Sequence, residues 1–230
     1  MKKSIEGSFL AISFVLLYGS GFVFTQYGLE NSSPMAFLSL RFFIAFAILL
    51  LIAYYLKSSW PKTFKEFIHI SIAGSLTVGV FSLGVFLSIA HGVSASLNAL
   101  VIALQPIVVT VLAMKFLNER LNKFAILGLI TGFLGVCFVL YSNMEFSSSG
   151  IYGVLFSFMA LFGLSFGNLY QKKFCTNMNL FSGGAIQTLS STILVLPFLA
   201  FEDIHMNFNG DFVIALIYMT VGVSIGALSL

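Results

Sequence analysis

Eight stretches of this chain are each long and apolar enough to cross a lipid bilayer as a helix, and nothing else in the sequence constrains the fold as strongly. They run roughly over 7–28, 34–56, 66–90, 94–115, 122–142, 150–170, 180–201 and 211–230. Only 8% of the residues are charged and 59% are hydrophobic. A water-soluble domain carries about 25% charge, so a chain this poor in charge cannot cover its own surface in water. The sequence therefore predicts an all-α, polytopic membrane protein with about eight transmembrane helices. The joints between the segments carry turn chemistry, as in Asn31-Ser32-Ser33-Pro34 and Ser58-Ser59-Trp60-Pro61.

The loops test the helix count. If eight helices alternate in direction, ten of the eleven Lys and Arg fall on the N-terminal side, among them Lys57, Lys62, Lys65, Lys172 and Lys173. Glu30, Glu145, Glu202, Asp203 and Asp211 fall on the other side, where there is no Lys or Arg. The basic side marks the cytoplasm, which places the N-terminus inside and the chain in the cell inner membrane. Trp60, Tyr54 and Tyr55 at the same end read as an interfacial aromatic belt. The net charge of +3 includes no tract long enough to bind nucleic acid. Cys137 and Cys175 have neither disulfide-framework nor metal-site spacing, and no metal or cofactor is expected.

Gly7 to Leu56 and Gly150 to Phe201 are laid out alike, each opening on a Gly and an aromatic-rich helix. They are separated by five helices, an odd number, so equivalent helices run in opposite directions. The sequence thus predicts an inverted five-helix repeat, with residues 1–142 as the first copy and 143–230 as a partial second copy of three helices. The chain stops inside an apolar run, which reads as a C-terminal truncation.

The chain resembles the EamA branch of the drug/metabolite transporter superfamily. The resemblance is carried by Gly92 to Leu100, Leu104-Gln105-Pro106, Leu117-Asn118-Glu119-Arg120-Leu121 and the repeated glycines of Gly128 to Leu140. Tyr18-Gly19-Ser20 and Leu40-Arg41-Phe42 look like its first- and second-helix motifs. Asn118 departs from the glycine common there. The resemblance implies ten helices in two inverted repeats that move amino acids, other metabolites or drugs across the inner membrane, with helices nine and ten missing here.

Several residues are candidates for a substrate site. Ser94, Asn98 and Gln105 share one face of helix four by their spacing, and Pro106 removes the backbone bond to Ile102 and predicts a kink. They read either as a cavity wall or as polar contacts between helices. Arg41 lies about 10 Å into the membrane. It either meets an anionic group or snorkels to the outer interface toward Glu30. Tyr18, Gly21 and Thr25 in helix one, and Ser157, Ser165 and Asn168 in helix six, mark faces that meet if the repeats are inverted, with ordinary helix packing as the other reading. The pairs Gly128/Gly132, Gly163/Gly167 and Gly222/Gly226 read as packing contacts, and Glu119 and Arg120 as helix-end charges beside Lys123.

No acidic residue falls at mid-membrane, which predicts transport without a buried carboxylate relay. With three His and no HExxH or GxSxG, the chain is not expected to be an enzyme. The expected function is a secondary transporter of small metabolites such as amino acids, an exporter working by alternating access. Its partners are a small-molecule substrate and the lipid bilayer, and its oligomeric state is unreadable. The rival is an inactive or non-transporting fragment or assembly subunit.

Overall fold

The computed structural model describes residues 16–17, 19–117, 123–143 and 148–226. Tyr18 and Asn118 to Leu121 lie outside them, as do Glu145 and the side chain of Lys123. Among the described residues the chain forms eight helical segments. These are α1 (19–29), α2 (Pro34–Tyr55), α3 (Phe64–Ala90), α4 (Ala95–Leu117, broken at 103–104), α5 (Lys123–Asn143), α6 (Ser148–Phe174), α7 (Leu180–Phe201, ending in a 3₁₀ stretch) and α8 (Gly210–Gly226). Five of them, in α2, α3, α4, α6 and α7, are long and apolar enough to cross a membrane, while α5 and α8 are shorter apolar helices. The protein is all-helical and polytopic.

Helix starts follow local chemistry. Thr63 Oγ1 accepts from Glu66 N–H at the start of α3, Asn179 Oδ1 from Phe181 and Ser182 N–H at α7, and Asn209 Oδ1 from Phe212 N–H at α8. α2 differs. Its N-cap Ser33 makes no side-chain cap bond, and Pro34 takes the first turn. The Glu202 carboxylate, from the end of α7, accepts instead from Met35 N–H at 3.0 Å and Ala36 N–H at 3.4 Å.

That contact also fixes how α2 and α7 lie. Glu202 holds the end of α7 beside the start of α2, and Ser182 Oγ donates to Ser59 O at 2.6 Å at the opposite end. The two helices are therefore antiparallel with level ends. At the acidic end, the turn after α1 is tied to the loop before α8: Ser33 N–H donates to His205 O and Asn207 N–H to Asn31 O. Glu30, Glu202, Asp203 and Asp211 gather there, whereas Lys57, Lys62, Lys65, Lys172 and Lys173 sit at the far end, so the described loops keep the division of charge.

α1–α3 and α6–α8 repeat one spacing. The caps Ser33 and Asn179, and the caps Thr63 and Asn209, are each 146 residues apart. Both α3 and α8 contain a π-helical stretch, Ser75–Val80 and Tyr218–Gly226. A Cβ on Gly21 would stand 3.2 Å from Val223 Cγ2, and one on Gly167 would stand 2.5 Å from Thr77 Cγ2 and 2.8 Å from its backbone N. These two contacts, α1 on α8 and α6 on α3, exchange under the same 146-residue step.

Two apolar cores flank the centre. Phe37 packs edge-on to Phe212 at 5.6 Å and tilts against Phe86 in one, while Phe22, Val101, Ala160 and Leu161 build the other. Of the three Gly pairs, Gly163/Gly167 seats α6 on α3. Among the described residues nothing lies within 4 Å of a Cβ on Gly128, and Gly132 and Gly222 have only ordinary contacts. α5 lies at the periphery and exposes Phe124, Leu127 and Phe138, an apolar face suited to lipid.

Candidate functional site

A cavity of about 860 Å³ opens where the helices converge, within the range of small-molecule sites. Every described helix except α5 contributes to its wall. α1 and α3 bring Phe22 and Phe81. The π-helical stretches bring Thr77 from α3 and Val223 and Ser224 from α8. A π turn carries an extra residue and re-aims the side chains that follow, a device common at functional sites.

Arg41 enters from α2. It is only 5% exposed, its Nε donates to Ser224 Oγ at 3.2 Å, and its guanidinium lies 5.5 Å from the Phe42 ring centroid. Ser224 Oγ donates in turn to Met219 O, five residues back along the π stretch. The snorkelling reading is corrected: Arg41 is drawn into the bundle by Ser224 and lines the cavity. Thr25 Oγ1 donates to Gly21 O, and Thr25 lines a side pocket of about 30 Å³, also walled by Arg41, with space for about one water.

Gln105 and Pro106 line the cavity from α4, and Asn168 from α6. Ser94 and Asn98 do not join them. Ser94 is the N-cap of α4 and accepts from Leu97 N–H. Asn98 is fully buried and donates to Val85 O at 3.3 Å, tying α4 to α3. Spacing by seven places residues on one face only in a continuous helix. Pro106 cannot donate to Ile102, and the chain turns at 103–104, with Leu104 N–H on Val101 O and Ile107 N–H on Leu104 O. Residues before and after the break therefore do not keep the register of one helix: Ala99 and Ile102 line the cavity with Gln105, and Asn98 does not. Ser157 Oγ pairs with Ser88 Oγ at 2.7 Å between α6 and α3, and Ser165 Oγ donates to its own helix at Leu161 O.

Sequence reasoning missed the contribution of α7. Gln187 of α7, only 2% exposed, donates from Nε2 to Gln171 Oε1 at 3.0 Å, and both line the cavity beside Thr188. The available signal was positional. Gln187 stands eight residues past the cap Asn179, as Arg41 stands eight past Ser33. Gln171 likewise follows Thr25 by the 146-residue step.

At the Lys-rich end His69 Nδ1 meets Tyr170 OH at 2.7 Å and its ring stacks on Phe174, outside the cavity lining. His91 is half-buried; its Nδ1 bonds Leu87 O at 2.7 Å and its ring tilts against Phe156. Burial pushes the Cys175 thiol up, so it stays protonated at neutral pH. Among the described residues no His, Cys, Asp and Glu side chains gather in threes to hold a metal, and the described cavity lining contains no Asp or Glu.

The model of the EamA-like transporter family matches residues 5–141. The uncharacterized transporter YoaV of Bacillus subtilis is 24% identical over 188 residues, covering 81% of this chain and 64% of YoaV. An uncharacterized transporter of Archaeoglobus fulgidus is 29% identical over 216 residues, 92% of this chain and 71% of that protein. A probable amino-acid metabolite efflux pump of Salmonella typhimurium is 25% identical over 197 residues, 85% of this chain and 63% of the pump. A crystal structure superposes with a TM-score of 0.68 over 96% of this chain and 76% of that one, at 17% identity, which is a likeness of fold.

Proposed function

The chain belongs to the EamA-like transporter family, and from that premise we propose that it carries small metabolites, amino acids among them, out across the cell inner membrane. The observation that carries this reading is the 860 Å³ cavity, walled by both α1–α3 and α6–α8 and lined by Arg41, Gln105, Asn168, Gln171 and Gln187. Buried polar groups in a bundle are costly unless they serve one another or a ligand.

In this reading residues 1–142 and 143–230 are inverted repeats. The 146-residue step between caps, and the exchange of the Gly21–Val223 and Gly167–Thr77 contacts, support it. Alternating access is then a rocking of one triplet against the other about the cavity. The basic ends of the helices face the cytoplasm, as does the N-terminus. The names of the relatives, two of them probable amino-acid metabolite efflux pumps, support the substrate class.

The test is uptake and efflux of radiolabelled amino acids in cells expressing the chain, beside Gln105→Ala, Asn168→Ala. The expected result is transport above background that the double variant removes while surface expression holds. Transport unchanged by the double variant sinks the assignment of this cavity.

A further inference from the structure

We propose that the cavity takes its substrate as a carboxylate, held by Arg41, with the remainder of the molecule toward the Gln171–Gln187 amide pair. The inference rests on the carrier reading above and names the chemistry of that same site.

Arg41 and Gln187 occupy matched places on antiparallel helices with level ends. Each helix spans 22 residues, about 33 Å at 1.5 Å per residue. Each side chain starts about 10 Å from its own helix's N-terminal end, so the two lie about 12 Å apart along the helix axes. That is the reach of a small metabolite, and both open on one cavity.

The two places carry different chemistry. Arg41 is the charged residue of the described lining; no Asp or Glu accompanies it there. A guanidinium repels ammonium and attracts carboxylate, which it can meet with two parallel N–H···O bonds. The bond from Arg41 Nε to Ser224 Oγ and the nearby Phe42 ring orient the guanidinium. Gln187 and Gln171 share an amide–amide bond at 3.0 Å. Amides donate and accept without charge, so that pole tolerates a hydroxyl, an amide or an ether and gives no second site for an anion. A symmetric cavity would bind a substrate either way round; this one sets its direction.

The experiment uses the full chain, purified in lipid nanodiscs. Thermal stabilisation is measured with each of a panel of amino acids, its N-acetyl derivative, its methyl ester and its decarboxylated amine. The expected result is stabilisation by free acids and N-acetyl acids, and little by esters or amines. Arg41→Gln should weaken carboxylate binding by about tenfold or more and level the series, the scale of a lost charged hydrogen bond. Arg41→Lys keeps the charge without the fork and should fall between. Ser224→Ala should weaken acids several-fold with the charge intact, a positioning effect; it carries the test if Arg41→Gln does not fold. Equal stabilisation by acids and esters, or a preference for acids that survives in Arg41→Gln, overturns the inference and leaves the carrier reading standing. Stabilisation by none of the panel, together with no transport of any of it, overturns the carrier reading and this inference with it.

Discussion

The triplets α1–α3 and α6–α8 are alike where the backbone is concerned and unlike where the cavity is. Caps, π stretches and the two glycine approaches recur 146 residues apart. At the same step Arg41 becomes Gln187, Thr25 becomes Gln171 and Phe22 becomes Asn168; Gly74, at a close crossing outside the cavity lining, becomes Thr220. Helix starts and close crossings are dictated by groups that must be satisfied or by space that must be empty. Cavity positions answer to neither demand, and are free to differ. The polarity of the cavity is a consequence of that freedom.

The largest effect should come from imposing one triplet's residue on the other. A Cβ at Gly74 would stand 2.4 Å from the Gln187 Cα, backbone against backbone. Gly74→Thr should drive α3 from α7 and cost about 3 kcal/mol or more, seen as loss of the monodisperse peak in detergent chromatography. The reverse change, Thr220→Gly, opens space where Thr220 is buried and should cost about 1 kcal/mol. Equal effects would break the comparison. A finer version sets Gly167→Ala beside Gly21→Ala. The first meets the Thr77 backbone N at 2.8 Å; the second meets only a Val223 methyl at 3.2 Å, which can give way. The first should lower the thermal midpoint clearly, by about 2 kcal/mol, and the second by less than about half of that.

Asn98 and Gln105 sharpen the contrast between scaffold and cavity within one helix. Asn98 is fully buried and ties α4 to α3, whereas Gln105 faces the cavity. Asn98→Ala should cost about 1–2 kcal/mol of stability and leave substrate preference alone. Gln105→Ala should leave the midpoint within about 0.5 kcal/mol and change transport. The pair is read by a melt and an uptake assay on the same preparations, and a reversal would place the wrong residue in the wall.

How much was legible follows from the same division. Segment ends could be read because apolar length and cap residues are local: Asn179, Asn209 and Thr63 each start a helix within a few residues of the expected place. The charge division between loops is equally local. The cavity was half legible. Arg41, Gln105, Pro106 and Asn168 line it, but α2 is apolar on every side, so no polar stripe announces which face looks inward. Asn98 was placed beside Gln105 because spacing by seven means one face only in an unbroken helix, and the turn at 103–104 breaks it. Gln171 could be read near the cytoplasmic end of helix six, but Gln187 stayed hidden because α7 shows no polar periodicity. Counting from the caps, eight past Ser33 and eight past Asn179, exposes Gln187 as the mate of Arg41.

The smallest expected effect tests whether the two triplets are capped alike in energy as well as in place. α7 is capped by its own Asn179, two and three residues from the N–H groups that it serves. α2 is capped by Glu202, 167 residues away on the end of α7. Asn179→Ala removes a local cap and should cost about 1 kcal/mol. Glu202→Gln keeps an acceptor near Met35 and loses only the charge facing the helix dipole, about 0.5 kcal/mol at low salt and less as salt screens it. The difference lies in reach. Asn179 orders one helix end, while Glu202 joins two helices, so Glu202→Ala should also loosen the acidic end where Ser33 meets His205. Hydrogen exchange at Met35 and Ala36 reads this directly. Faster exchange there in Glu202→Ala, with no change in Asn179→Ala, is the expected outcome. Unchanged exchange at Met35 would mean that the helix dipole of α2 is satisfied by solvent, and that the contact between the two triplets at this end is only proximity.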